Sequence, residues 1–240
     1  MSSARATRQM KVLQIKDLTP KVRELILKCV EPQSFEFKAG QFVMLHVPQP
    51  EGKPALRAYS IASTDQRKDG FHLLFKFVET GKASEFVWSL KGNETLQFTG
   101  PFGKVFFHEP PTEQIIFLNT GTGLSQHLCY LQSKKNQYPN LKYRMLFGVR
   151  NEQEIYAKEE LEAVKKELSD FQYEYVLSRP SENWKGKKGY VQNFLKEFEY
   201  KNTPTTFYLC GNGGMIKEVK NQLIEIDGLE KSQIWSEAFD

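Results

Sequence analysis

Only three cysteines occur in the 240 residues, Cys29, Cys129 and Cys210, and they lie far apart. With no C-x-x-C pair and no cluster, they can build neither a disulfide framework nor an iron–sulfur centre, and the chain suits a reducing cytoplasm. The four histidines, His46, His72, His108 and His127, are equally scattered and show no metal-ligand spacing, so no metal is expected. No apolar run approaches the roughly 20 residues needed to span a bilayer. The start carries Arg5, Arg8 and Lys11 but no apolar stretch of the kind a secretory signal requires, so no membrane association is expected. The excess of charge of one sign is also small. A net +4 without a basic run interleaved with aromatics does not suit nucleic acid, though it favours an acidic protein partner.

Apolar residues make up 40% of the chain and aromatics 13%, enough for well-packed cores. The length accommodates two domains of about 100 to 130 residues each. Up to about residue 108 the periodicity is two, with strand-like runs over 42–47, 58–61 and 71–78 and turn signals such as Thr19-Pro20, Lys38-Ala39-Gly40 and Asp69-Gly70 between the short apolar runs. That pattern predicts an antiparallel β-barrel or sandwich over residues 1–109, interrupted by one helix over 84–90, with Gly100-Pro101-Phe102-Gly103 as punctuation. Glu109-Pro110-Pro111-Thr112 reads as a linker. Over residues 110–240 strands alternate with helices expected over 124–134, 158–168, 190–198 and 215–226, and Leu161, Val164 and Leu168 mark one buried stripe. A doubly wound parallel sheet follows, with ligands expected just beyond the carboxyl ends of its strands.

Two stretches carry chemistry. Arg57-Ala58-Tyr59-Ser60 places a cation, a ring and a hydroxyl on four successive strand positions. Alternation puts Arg57 and Tyr59 on one face and Ser60 on the other. The set can grip a phosphate, stack on a flat ring and hydrogen-bond its edge, although an ordinary strand also holds such residues. Sixty residues on, Thr120-Gly121-Thr122-Gly123 follows an apolar strand, and its small residues let backbone N–H groups approach a pyrophosphate at the next helix's positive end. Gln126 stands where the third glycine of the common dinucleotide fingerprint would be. Arg150 lies beyond the next strand, and Ser178-Arg179, with Lys188 and Tyr190 downstream, offers what a ribose 2′-phosphate requires, or else a solvated polar loop that includes Lys185 and Lys187. Cys210-Gly211-Asn212-Gly213-Gly214 brings a thiol to a strand end as a packing group or, given the glycines, as a point of close ligand approach.

Together these motifs resemble the ferredoxin–NADP reductase family, over nearly the whole chain and in the right order. The resemblance implies a FAD-binding β-barrel domain at 1–109, with Arg57 on the pyrophosphate, Tyr59 against the ring, Ser60 at the flavin N5 edge and Ala58 among the FAD-binding residues. Gly81-Lys82-Ala83-Ser84 would meet the pyrophosphate from a helix start. It implies an NADP-binding domain at 110–240 that uses Thr120 to Gly123, Arg150, Ser178, Arg179, Lys188, Tyr190, Gln192, Gly211 and Met215, and NADPH over NADH. Phe239 would stack on the flavin and move for nicotinamide, while Ser60, Cys210 and Glu237 would flank hydride transfer from nicotinamide C4 to N5. The chain departs from the pattern at Phe239, which replaces an aromatic alcohol, at Asp240, which extends past it, and at Ser125-Gln126, where Ala-Pro is usual.

The resemblance thus implies a cytoplasmic, monomeric oxidoreductase passing electrons between NADP(H) and a separate ferredoxin or flavodoxin, since the C-x4-C-x2-C run of a fused ferredoxin is absent. The flavin carries the hydride and one-electron steps while the protein orients the donor. Two alternatives stay open. One is a reductase serving an oxygenase or free flavin; the other is a nucleotide-binding electron-transfer subunit without turnover.

Overall fold

The computed structural model describes residues 6–239. The expectations for Arg5 and Asp240 lie outside them. Contacts divide the chain into two compact units, one of residues up to Phe106 with Leu128–Ser133, the other of Phe107–His127 and Lys134 onward.

In the first unit six strands, β1 (Thr7–Thr19), β2 (Val22–Glu31), β3 (Phe42–Val47), β4 (Ala55–Ser60), β5 (Gly70–Lys76) and β6 (Thr95–Phe102), form one sheet in the order β4-β3-β6-β1-β2-β5. Every pairing is antiparallel. Alternation is cleanest in β3, where Val43, Leu45 and Val47 are buried and the residues between them are not. Just past β4, Ile61 pairs with Leu73 of β5, and Ala62 N–H donates to the His72 carbonyl at 2.9 Å. The two edges of the sheet therefore meet, and it closes as the expected barrel around Leu25, Leu27, Phe71, Leu73 and Phe98. Helix α1 (Lys82–Ser89) lies between β5 and β6 and buries Val87.

One expectation fails here. Gly100-Pro101 does not end a segment, because β6 runs through it to Phe102 between β3 and β1. Proline is tolerated because the pairing with β3 shifts register at that point, and Gly100, at φ +144°, lies where a Cβ would meet Val43 Cγ1 at 3.1 Å.

In the second unit β7 (Gln114–Thr120), β8 (Lys142–Val149), β9 (Asp170–Leu177), the two-residue β10 (Lys187–Lys188), β11 (Thr205–Asn212) and β12 (Ile234–Phe239) make an all-parallel sheet in the order β10-β9-β8-β7-β11-β12. The chain starts at β7, winds outward through β8 and β9, then returns to add β11 and β12 on the other side. The winding reverses between β7 and β11, where doubly wound sheets bind ligands. Both strands are buried along almost their full length, as two-sided parallel strands must be.

The helices are α2 (Leu124–Lys134), α3 (Lys158–Glu167) and α4 (Gly213–Lys220), which continues as a π-helical segment over Asn221–Ile226. The segment expected to be a helix over 190–198 is instead a run of tight 3-10 turns, Val191–Glu197. Its buried Val191 and Leu195 keep helical spacing, but at seven residues the run is too short to hold an α-helix on its own.

Candidate functional site

The first candidate site is built on β4, an edge strand whose residues are mostly exposed until Ser60. Arg57 is exposed, and the hydrogen bond seen for its guanidinium goes to the neighbouring Leu56 carbonyl at 2.9 Å, which leaves most of its donors for an anion. Tyr59 is half-buried with its ring 4.3 Å from that of Phe75, and burial pushes its hydroxyl up to about 12 while Arg57 works the other way. The phenol is therefore a neutral, fixed plane. Ser60 is buried, and its Oγ has no hydrogen-bond partner in the structure. A buried hydroxyl without a partner costs about 1–3 kcal/mol, so this atom is where a ligand's polar edge would be welcome.

Gly81 precedes α1, and no side chain caps the helix, so the first-turn N–H groups face an incoming anion. Ser84 contributes less than its motif suggests. Its Oγ accepts from Val78 N–H at 2.9 Å and reaches the Lys76 carbonyl at 3.5 Å, so the hydroxyl is spent on the turn. Lys82 Nζ likewise donates to Gln49 Oε1 at 2.8 Å. An unpartnered buried hydroxyl, an open guanidinium and an uncapped helix start together fit the ring edge and pyrophosphate of a flavin dinucleotide.

The second candidate site lies along the carboxyl edge of the parallel sheet. Beyond β7 the turn Gly121–Gly123 leads into α2, with Gly121 at φ +53°. The glycines here serve the chain before they serve a ligand. A Cβ on Gly123 would lie 2.3 Å from the Cys210 carbonyl oxygen, and one on Gly211, at φ +127°, 2.3 Å from Thr120 Oγ1. The strand ends of β7 and β11 thus press backbone to backbone, and Asn212 N–H donates to Thr120 Oγ1 at 2.8 Å. That packing by itself requires a glycine at 211. Met215 departs from expectation, since its side chain is buried in the core while its N–H donates to Asn212 Oδ1 at 3.1 Å as the cap of α4.

Cys210 is fully buried, opposite Glu237 on β12 and Asn119 on β7. Burial first and the Glu237 charge second push the thiol well above its usual value, so it stays protonated. Glu237 is itself raised by burial, opposed by a hydrogen bond from Gln126 Nε2 at 2.5 Å. Gln126 was legible only as a departure from the family pattern. It lies 111 residues from its partner, and no local signal joins them. Phe239 ends β12, half-buried, opposite Asn212.

The loops beyond β8 and β9 are sewn together by Ser178 N–H to the Val149 carbonyl at 3.1 Å and Arg179 N–H to the Arg150 carbonyl at 2.7 Å. Arg150 and Arg179 are exposed there, as are Lys188 in β10 and Tyr190 just after it. Lys187 is committed elsewhere, to Glu197 and Glu174 and over the Phe194 ring at 4.7 Å. Gln192 Nε2 donates to Glu218 at 2.7 Å, and its Oε1 is buried without a partner. Among the described residues no cluster of three metal-ligating side chains exists, and no helix is long and apolar enough to cross a membrane.

A candidate ring-and-phosphate site in the barrel unit and a candidate phosphate turn at the switch point of the parallel-sheet unit are what an oxidoreductase using a flavin and a nicotinamide nucleotide requires. Comparison with known proteins agrees. Residues 9–107 match the oxidoreductase FAD-binding domain and residues 117–221 the oxidoreductase NAD-binding domain. The chain is 31% identical over 237 residues to ferredoxin–NADP reductase B of Sorangium cellulosum, covering 96% of both proteins. It is 29% identical over 213 residues to the reductase component of phenol 2-monooxygenase from a Pseudomonas species, covering 87% of this chain and 59% of that protein. The fold superposes on a Neisseria gonorrhoeae ferredoxin NADP+ reductase with bound FAD and NADP at a TM-score of 0.83 and 22% identity, covering 99% of each chain. The chain belongs to the ferredoxin–NADP reductase family, and it is an oxidoreductase with FAD and NAD(P) as its cofactors.

Proposed function

We propose that the chain takes electrons from NADPH and passes them, one at a time, to a separate ferredoxin or flavodoxin in the cytoplasm, acting as a monomer. Residues 1–109 would hold FAD and 110–240 NADP(H). When bound, the flavin supplies two-electron acceptance and one-electron release. On the chain's side, Arg57 and the first turn of α1 would neutralise pyrophosphate, with Tyr59 against the ring and Ala58 beside it in the strand. Ser60 Oγ gives a hydrogen bond to its polar edge. Thr120 and the turn Gly121–Gly123 receive the nucleotide's pyrophosphate through backbone N–H groups, and Arg179 with Lys188 and Ser178 takes the 2′-phosphate, with Arg150, Tyr190 and Gln192 around the adenosine.

Cys210 and Glu237 orient the nicotinamide without forming a bond to it, which suits a thiol kept protonated by burial. Phe239 holds the stacking place that nicotinamide must take. The single observation that carries the NADPH reading is that Arg179, on the loop beyond β9, and Lys188, in β10, are both exposed, while the adjacent Lys187 is held by glutamates. Likeness to ferredoxin–NADP reductase B supports the carrier.

Likeness to the phenol 2-monooxygenase reductase component favours a second reading, service to an oxygenase. Anaerobic mixing of the holoprotein and NADPH with a [2Fe–2S] ferredoxin or a flavodoxin, in separate cuvettes, tests the first. Acceptor bleaching at catalytic enzyme concentration is expected. Reduction of free flavin alone would overturn it.

A further inference from the structure

Among the exposed cations of the second unit stands a carboxylate with a defined place, Glu152. Glu152 opens the turn Glu152–Glu154 just beyond β8, and its Oε1 accepts both Ser181 N–H at 3.0 Å and Ser181 Oγ–H at 2.6 Å. It is the third tie between the two loops, after the bonds made by Ser178 and Arg179 N–H groups. The Ser181 hydrogen bonds, and behind them the Lys188 charge, hold this carboxyl below the usual carboxylate range, so it is ionised at neutral pH. A negative charge is therefore fixed beside Ser181, two residues along the chain from Arg179, and within electrostatic reach of Lys188.

We infer that Glu152 sets how strongly the site prefers NADPH to NADH, because it aligns the Arg179 loop through Ser181 while opposing the second charge of a 2′-phosphate. This rests on the phosphate-clamp reading above. The two coenzymes differ only at that ribose carbon. NADPH brings a dianionic group that the carboxylate repels, whereas NADH brings a hydroxyl that a carboxylate accepts from. Arg179 and Lys188 pull toward NADPH, Glu152 pulls back, and the preference is their difference. The arrangement separates alignment from charge, since a neutral amide oxygen can still accept from Ser181.

Glu152→Gln keeps the acceptor and removes the charge; Glu152→Ala removes both. The ratio of kcat/KM for NADPH to that for NADH should rise in Glu152→Gln by about three- to fivefold, the size of an exposed charge pair, with the change in KM for NADPH and shrinking in high salt. Glu152→Ala should raise KM for NADPH above that of Glu152→Gln, because the loop loses its tie. A ratio in Glu152→Gln that is unchanged or lower overturns the inference. Arg179→Ala, measured alongside, reports on the clamp itself: if it leaves the ratio at the native value, the phosphate-clamp reading fails, and if it lowers the ratio while Glu152→Gln does nothing, only the role of Glu152 fails.

Discussion

In the barrel unit the candidate site is made of side chains, with Arg57, Tyr59 and Ser60 following one another along a single edge strand. In the parallel-sheet unit it is made of strand ends and loops, where Gly123 and Gly211 let β7 and β11 meet backbone to backbone and the charged groups come from segments far apart in sequence. A site of the first kind loses a ligand contact when one side chain is changed, and its fold survives. A site of the second kind shares its glycines with the packing of the sheet, so binding and stability fall together there. Exposed charges, by contrast, are separable from the fold in both units.

The largest effect should come from breaking the shared glycine. Gly211→Ala places a Cβ against Thr120 and forces an alanine to φ +127°, which together should cost on the order of 2–5 kcal/mol. Thermal denaturation should show a large drop in the second unit's transition, with flavin still bound before it. An unchanged melting curve would mean that the strand ends are not tightly pressed. Arg57→Ala should weaken FAD by about 1.5 to 3 kcal/mol, roughly 10- to 150-fold in Kd, with little change in the melting of the apoprotein. Equal flavin content after gel filtration of the variant would remove Arg57 from the site.

Arg179→Ala should raise KM for NADPH about five- to thirtyfold and leave KM for NADH nearly native, the mark of a contact to phosphate alone. Parallel losses with both coenzymes would show instead that the loop had collapsed. The smallest effect concerns Glu237, whose carboxyl is held above its ordinary value of 4.5 by burial. A carboxyl raised in the folded state contributes stability that is present below its unfolded pKa and lost as pH rises through the folded pKa. Glu237→Gln should therefore melt on the order of 2 °C higher than the native chain at pH 7, with the gap closing near pH 4. A gap that persists at pH 4 would assign the change to packing rather than ionisation.

Much of this was legible before the structure. The strand over 42–47 and the helix over 124–134 stand where the alternation and the periodicity put them, and Ser60 is buried on the opposite face from Arg57 as strand geometry requires. What was illegible had physical causes. β6 was hidden because Gly100-Pro101 looks like an end, and only pairing on both sides shows that it is a bulge. Gly211 and Met215 carry a motif's identity but pack within the chain, which no local pattern distinguishes from ligand contact. Gln126 with Glu237, and Glu152 with Ser181, are pairs that only the sheet's winding brings together.

Anaerobic titration of the purified protein with NADPH and then NADH, followed in the visible spectrum, tests the central claim that one unit holds a flavin and the other a nucleotide that reduces it. The account predicts a bound flavin, released as FAD on denaturation, whose absorbance is bleached by NADPH at lower concentration than by NADH. Protein that binds no flavin, or a flavin that stays oxidised under excess NADPH, would contradict it.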